Sequence, residues 1–304
     1  MADFMLMSGI NDVSWNNPKA ATPQLGKLAR SGLILDNSYT LPICSPSRAA
    51  ILTGIYPFRM GLQVKKFNFW NVLMTIMFST KRGFGQQIPE GIPTRVKLLP
   101  EYLKAVGYKS HMFGKWHLGF CNQKYTPLGR GFHTFKGCHV AIEKEDRKEF
   151  LKQKEVERKL KFQKKHYSSR KNFRRKRKFK PLRKHYVKIK KPDKIRPNSM
   201  STKSYFEDVA RILRSNYHNM EPLFLYLSFF TKSYSFFGEN IQETRKKHII
   251  EMDQTIGKIV EELKRTNQYD NTIIFFTSDN GATNLGSGVK SPNFPLRYRL
   301  KFFA

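Results

Sequence analysis

Three short polar clusters hold the residue types best suited to chemistry on an anionic ester: Cys44-Ser-Pro-Ser-Arg48, Lys115-Trp-His117 and Ser278-Asp279-Asn280-Gly281. Arg48, four residues past the thiol of Cys44, carries a planar guanidinium fork that matches the oxygens of sulfate or phosphate. Lys115 and His117 stand two residues apart at the end of a predicted strand, so both are expected to project the same way and offer a cation and a proton donor. Asp279 and Asn280 directly follow an apolar run and provide two hard oxygen ligands suited to Ca²⁺ or Mg²⁺. Each cluster also has a plainer reading: Cys44 as a buried structural thiol, Lys115 and His117 as a strand cap, Asp279-Asn280-Gly281 as a turn. Taken together, the three describe a site for an anionic ester.

The elements that must position these clusters follow from hydrophobic periodicity. Gln24 to Arg30 reads as a short helix ended by Ser31-Gly32, and Leu33-Ile-Leu as a buried strand. A loop from Leu41 to Arg48 should then lead into a helix over Ala49 to Thr53 that stops at Gly54, with Pro46 favouring a turn before it. Leu98, Leu99, Tyr102, Leu103 and Val106 predict one apolar face of a helix closed by Gly107. Tyr108 to Phe113 fits a strand that delivers Lys115 and His117. The runs Pro222-Leu-Phe-Leu-Tyr-Leu-Ser-Phe and Thr272-Ile-Ile-Phe-Phe-Thr are apolar almost throughout, as expected of parallel strands covered on both faces. Between them Ile249, Met252, Ile256, Ile259, Val260 and Leu263 recur at helical spacing. Strand, helix and strand in this order predict an α/β domain with a mostly parallel central sheet flanked by helices. Ligands of such sheets bind at the carboxyl ends of the strands.

Composition sets the wider limits. With 304 residues and 39% hydrophobic content the chain can bury a substantial core. The formal charge of +33 is concentrated: residues 141–200 hold 25 Lys/Arg against 7 Asp/Glu, about half of the whole surplus. Like charges at that density predict a solvated basic insertion over 139–199, and residues 66–86 read as a second, atypical insertion. The three cysteines, Cys44, Cys121 and Cys138, exclude a disulfide framework and a C-x-x-C zinc site. No basic and apolar secretory leader is legible at the start, no apolar run is long enough to span a bilayer, and no N-x-S/T sequon occurs.

Cys44-Ser-Pro-Ser-Arg48, continued by Ala-Ala-Ile-Leu-Thr-Gly-Ile-Tyr-Pro, resembles the first sulfatase signature. Gly114-Lys-Trp-His-Leu-Gly119 with Arg130-Gly-Phe is similar to the second, and Phe276-Thr-Ser-Asp-Asn-Gly281 to the family's late metal-ligand turn. The likeness covers roughly residues 9 to 65, 87 to 137 and 200 to 299 and points to the type I sulfatases, most of all the arylsulfatase B type. It implies an alkaline-phosphatase-like sulfatase fold, here truncated at both ends, with residues 1–138 and 200–304 forming the sulfatase domain and a carboxyl-terminal subdomain missing. It also implies cleavage of sulfate esters of glycosaminoglycan-type sugars, by a formylglycine made from Cys44 by a formylglycine-generating enzyme, with Ca²⁺ held by Asp279, Asn280 and the modified Cys44. In that scheme Arg48 positions the nucleophile, Lys115 neutralises sulfate or the leaving oxygen, and His117 assists proton transfer. A lysosomal or secreted location follows from the same resemblance.

The sequence departs from the family pattern at defined places. Leu6 and Met7 stand where an Asp-Asp pair is expected to complete the metal site, Ser233 where a histidine is expected, and Leu300 or Lys301 at an expected lysine. These departures predict little or no turnover by this chain. Two other readings follow: a sulfatase-like protein that binds without hydrolysis, and a polyanion-binding protein acting through 139–199. Specific nucleic-acid binding is not expected of that segment.

Overall fold

The structure, a computed structural model, describes residues 2–7, 9–41, 44–60, 91–120, 122–139, 202–219, 221–229 and 241–281. All lie in the compact unit made by residues 1–141 and 198–304. The expected insertion at 66–86, nearly all of that at 139–199, and Ser233, Leu300 and Lys301 lie outside the described residues.

Five strands and five α-helices are found among the described residues. In chain order they are β1 (Ala2–Met7), α1 (Pro23–Ser31), α2 (Cys44–Thr53), α3 (Leu99–Ala105), β2 (Lys109–Lys115), β3 (Thr134–Cys138), α4 (Thr202–Asn219), β4 (Leu223–Ser228), α5 (Ile241–Arg265) and β5 (Ile274–Asn280). The strands form one sheet in the order β3-β2-β4-β1-β5, and every neighbouring pair is parallel. The carboxyl ends of all five strands therefore meet at one edge, which carries Lys115, Cys138, Ser228, Asn280 and the backbone of Met7.

Alternation along the central strands builds two cores. On β4, Leu225 and Leu227 face a cluster with Leu25 of α1, Val209 and Leu213 of α4, and Met252, Ile256 and Ile259 of α5. Phe224 and Tyr226 face the opposite cluster, with Ala49 and Leu52 of α2, Met112, Trp116 and Phe132. Each fully buried side chain of this size contributes about 1.5–3 kcal/mol. Helices thus cover both faces of β4, as its continuous apolar run predicts. The amino terminus of α1 is held by a carboxylate from α5: Gln24 and Leu25 donate their backbone N–H to Asp253 at 3.1 and 2.8 Å.

Several expectations change. Leu33, Ile34 and Leu35 are not a buried strand but an exposed loop, Leu33 at 84% exposure, because three apolar residues between Gly32 and Asn37 find no partner strand among the described residues. Helix α3 is shorter than its apolar pattern. Leu98 is buried just before it, whereas Tyr102 and Val106 are exposed, Tyr102 lying under the Lys97 ammonium. Among the described residues strand β5 is last in the sheet order, and Ile273 before it and Phe275 within it are exposed, unlike the covered strand expected. Helix α4 was not expected from the sequence.

Candidate functional site

Helix α2 begins at Cys44 itself, earlier than the predicted start at Ala49. Pro46 falls in the first turn, where its missing N–H costs no helical bond, so the proline starts the helix instead of delaying it. The Cys44 thiol is half-buried and free of any disulfide. It stands at the start of α2, the end that carries the partial positive charge of the helix dipole. Ser45 Oγ donates to the His117 carbonyl at 3.0 Å and Ser47 Oγ to the Leu41 carbonyl at 3.0 Å. The first of these bonds brings the Cys44 turn against the Lys115–His117 segment.

Arg48, at 1% exposure, ties that turn to three strands. Its Nε and Nη2 donate to Asp279 Oδ2 at 2.9 and 2.7 Å, and its Nη1 donates to the Lys115 carbonyl and to Ser228 Oγ, both at 2.5 Å. Burial by itself lowers the guanidinium pKa, but the charge of Asp279 holds it above its usual range. The expectation that Arg48 presents its fork to a sulfate changes: four of the five N–H groups a guanidinium possesses already point at protein acceptors. Arg48 joins α2 to the ends of β2, β4 and β5.

The second cluster leaves the sheet differently from its prediction. Strand β2 ends at Lys115, and His117 adopts φ 60°, in the left-handed region. Strand alternation therefore does not relate the two side chains. Backbone bonds fix the exit, with Trp116 N–H donating to the Cys138 carbonyl and His117 N–H to the His139 carbonyl, at 2.9 and 3.1 Å. Just before it, Gly114 has φ 100° and runs so close to β4 that a Cβ would lie 1.8 Å from the Ser228 carbonyl oxygen. Only glycine lets Lys115 reach this place. Lys115 is 2% exposed, and among the described residues its ammonium has no carboxylate partner. A buried cation in this state gains from an anionic ligand.

Asp279 and Asn280 close the site at the end of β5, both fully buried. Asp279 Oδ1 and Asn280 Oδ1 have no hydrogen-bond partner among the described residues. Two such oxygens suit a hard cation in type, but Ca²⁺ takes about 6–8 oxygen ligands. The adjoining strand adds none, since β1 sets Leu6 opposite Ser278 and Met7 opposite Asn280. Asp279 Oδ2 is held by Arg48. Among the described residues no three His, Cys, Asp or Glu side chains group to hold a metal. These residues do not fit a Ca²⁺ site.

Two serines add to the network. Ser45 and Ser228 each hold a partner in the network, and Ser228 was legible as the polar residue ending an otherwise apolar run.

At its carboxyl edge the parallel α/β sheet thus carries a thiol-bearing helix start, a buried lysine and a buried Asp-Asn turn. The sulfatase family matches residues 8–294, and the chain belongs to it. Human N-acetylgalactosamine-6-sulfatase is 30% identical over 295 residues, which cover 91% of this chain and 50% of that protein. Mouse arylsulfatase J is 29% identical over 301 residues, covering 95% and 43% respectively. The chain thus spans about half the length of the curated relatives it matches. Among solved structures, that of Ps i-CgsB is 25% identical with a TM-score of 0.66 over 97% of this chain and 61% of its own. The PsFucS1 sulfatase from Pseudoalteromonas sp., 24% identical with a TM-score of 0.60 over 92% of this chain and 55% of its own, shares the fold. The alkaline-phosphatase-like sulfatase fold expected from the sequence is the one observed. The likeness to arylsulfatase B in particular gives way to a broader one, to N-acetylgalactosamine-6-sulfatase and several arylsulfatases. Among the described residues, no helix is long and apolar enough to cross a membrane.

Proposed function

We propose that the cluster of residues at the carboxyl edge of the sheet is a sulfate-ester hydrolase site for sulfated sugars, with Cys44 as the precursor of its nucleophile. The observation that carries this reading is the Arg48 network, which draws the Cys44 helix, the Lys115 carbonyl and Asp279 to one place. Formylglycine made from Cys44 would supply a hydrated aldehyde hydroxyl as nucleophile. The half-buried thiol at the start of α2 fits that modification. Lys115 holds the sulfate oxygens and stabilises charge on the leaving oxygen, and the first turn of α2 adds partial positive charge. His117, pinned through its own N–H, is the candidate proton donor to the departing sugar hydroxyl.

The substrate class is a sulfated carbohydrate of glycosaminoglycan type, supported by the name of the human relative, and an arylsulfatase B-like preference is one form of it. The partner is a formylglycine-generating enzyme, and the location a lysosome or the extracellular space. Residues 1–138 and 200–304 form the domain in this reading, and the basic insertion at 139–199 attracts polyanionic substrate. One sequence fact favours a second reading, binding without turnover: Leu6 and Met7 beside the acidic turn.

The full chain coexpressed with a formylglycine-generating enzyme should carry formylglycine at Cys44 by peptide mass spectrometry. It should also release sulfate from an aryl sulfate at a slow rate that Cys44→Ala abolishes. An unmodified thiol under those conditions, or turnover that survives Cys44→Ala, overturns the hydrolase reading.

A further inference from the structure

We infer that Arg48 is the standing counter-charge of Asp279, and that the site binds a tetrahedral oxyanion through Lys115 and the start of α2 without a metal. The inference rests on the proposed sulfate site and adds how that site is charged.

The buried charges favour an anion over a cation. Arg48 and Lys115 are fully buried and positive, Asp279 is their single buried carboxylate in the network, and Asp279 Oδ2 accepts from two Arg48 N–H groups. A divalent cation at Asp279 Oδ1 would stand close to the guanidinium with one carboxylate to balance both. The strand alongside contributes Leu6 and Met7, which donate no oxygen from their side chains. An oxyanion meets the opposite situation, an ammonium buried without a carboxylate among the described residues and the positive end of the α2 dipole. Asp279 Oδ1 and Asn280 Oδ1 then serve as acceptors for water or for a ligand hydroxyl.

Calorimetric titration of inorganic sulfate into the full chain, once with EDTA and once with millimolar Ca²⁺, tests this. The expected result is the same Kd in both buffers within about twofold, weakened about tenfold or more in both by Lys115→Met. The Lys115→Met comparison also removes binding by the basic segment from the reading. Ca²⁺ alone should leave the melting temperature of the natural chain unchanged and raise that of the double variant Leu6→Asp with Met7→Asp. Sulfate binding that needs Ca²⁺, or thermal stabilisation of the natural chain by Ca²⁺, overturns the inference and leaves the sulfate site standing. Absence of Lys115-dependent binding in either buffer overturns both. Should the double variant not fold, the natural chain in its two buffers decides.

Discussion

Two arginines, Arg48 and Arg130, are both about 1% exposed, and both lie in segments that resemble family signatures, yet their surroundings differ. Arg130 donates to the carbonyls of Ile92 and Val96 at 3.0 and 2.5 Å and to Glu101 Oε2 at 2.9 Å. Glu101 in turn accepts the Leu98 N–H at 2.7 Å, closing the first turn of α3, and remains 27% exposed. Water can therefore complete that carboxylate. Arg48 faces a carboxylate at 0% exposure whose second oxygen has no partner among the described residues, next to a buried ammonium lacking a carboxylate. Burial alone does not distinguish scaffold from site. The distinction lies in whether the polar atoms around the buried charge are already satisfied.

Removing each arginine should break this comparison open. Arg48→Met strands Asp279 as an unpaired buried carboxylate and should cost about 3–5 kcal/mol of stability, measured by urea unfolding. Arg130→Met leaves a carboxylate that water can reach, so the loss should be smaller, about 1–3 kcal/mol, from the carbonyls that lose their donor. Equal losses would erase the difference drawn between the two regions.

A carboxylate with both oxygens engaged sharpens the contrast further. Hydrogen bonds from Arg265 and then Arg214 pull the Glu262 pKa from its ordinary 4.5 down to about 2. The folded state therefore holds the charged form more firmly than the unfolded chain does. The stabilisation is fully present above pH 4.5 and is lost as pH falls through about 2, and in that window the unfolded state binds more protons. Glu262→Gln should flatten the acid limb of stability between those two values, by an amount smaller than either arginine substitution, in urea titrations across pH. An unchanged acid limb would show that the two arginines do not hold the charge.

Much of the scaffold was legible because it obeys short-range rules. The leucines of α1 and the apolar run of β4 fall where periodicity places them, and the α5 residues Met252, Ile256 and Ile259 keep helical spacing into the core. Helix α4 also carries Tyr205, Val209 and Leu213 at intervals of four, a pattern hidden by the basic run before it. The site residues were legible as types at strand ends, but their partners were not. Arg48 meets Asp279 across 231 positions of sequence, and nothing local indicates that its fork turns inward to the protein. The left-handed turn at His117 breaks the alternation that placed it beside Lys115, and the cause is tertiary: its N–H reaches the His139 carbonyl. The exposed Leu33-Ile-Leu loop shows the converse, an apolar triplet too short to specify a strand by itself.

The most direct test of the shared site is a crystal structure of the full chain grown with tungstate, a heavy-atom analogue of sulfate whose anomalous signal locates it without ambiguity. The account places that peak within reach of Lys115 Nζ and the first turn of α2, on the Cys44 side of Arg48. A peak confined to other lysines and arginines, with the space beside Lys115 and Cys44 empty of the anion, would contradict it.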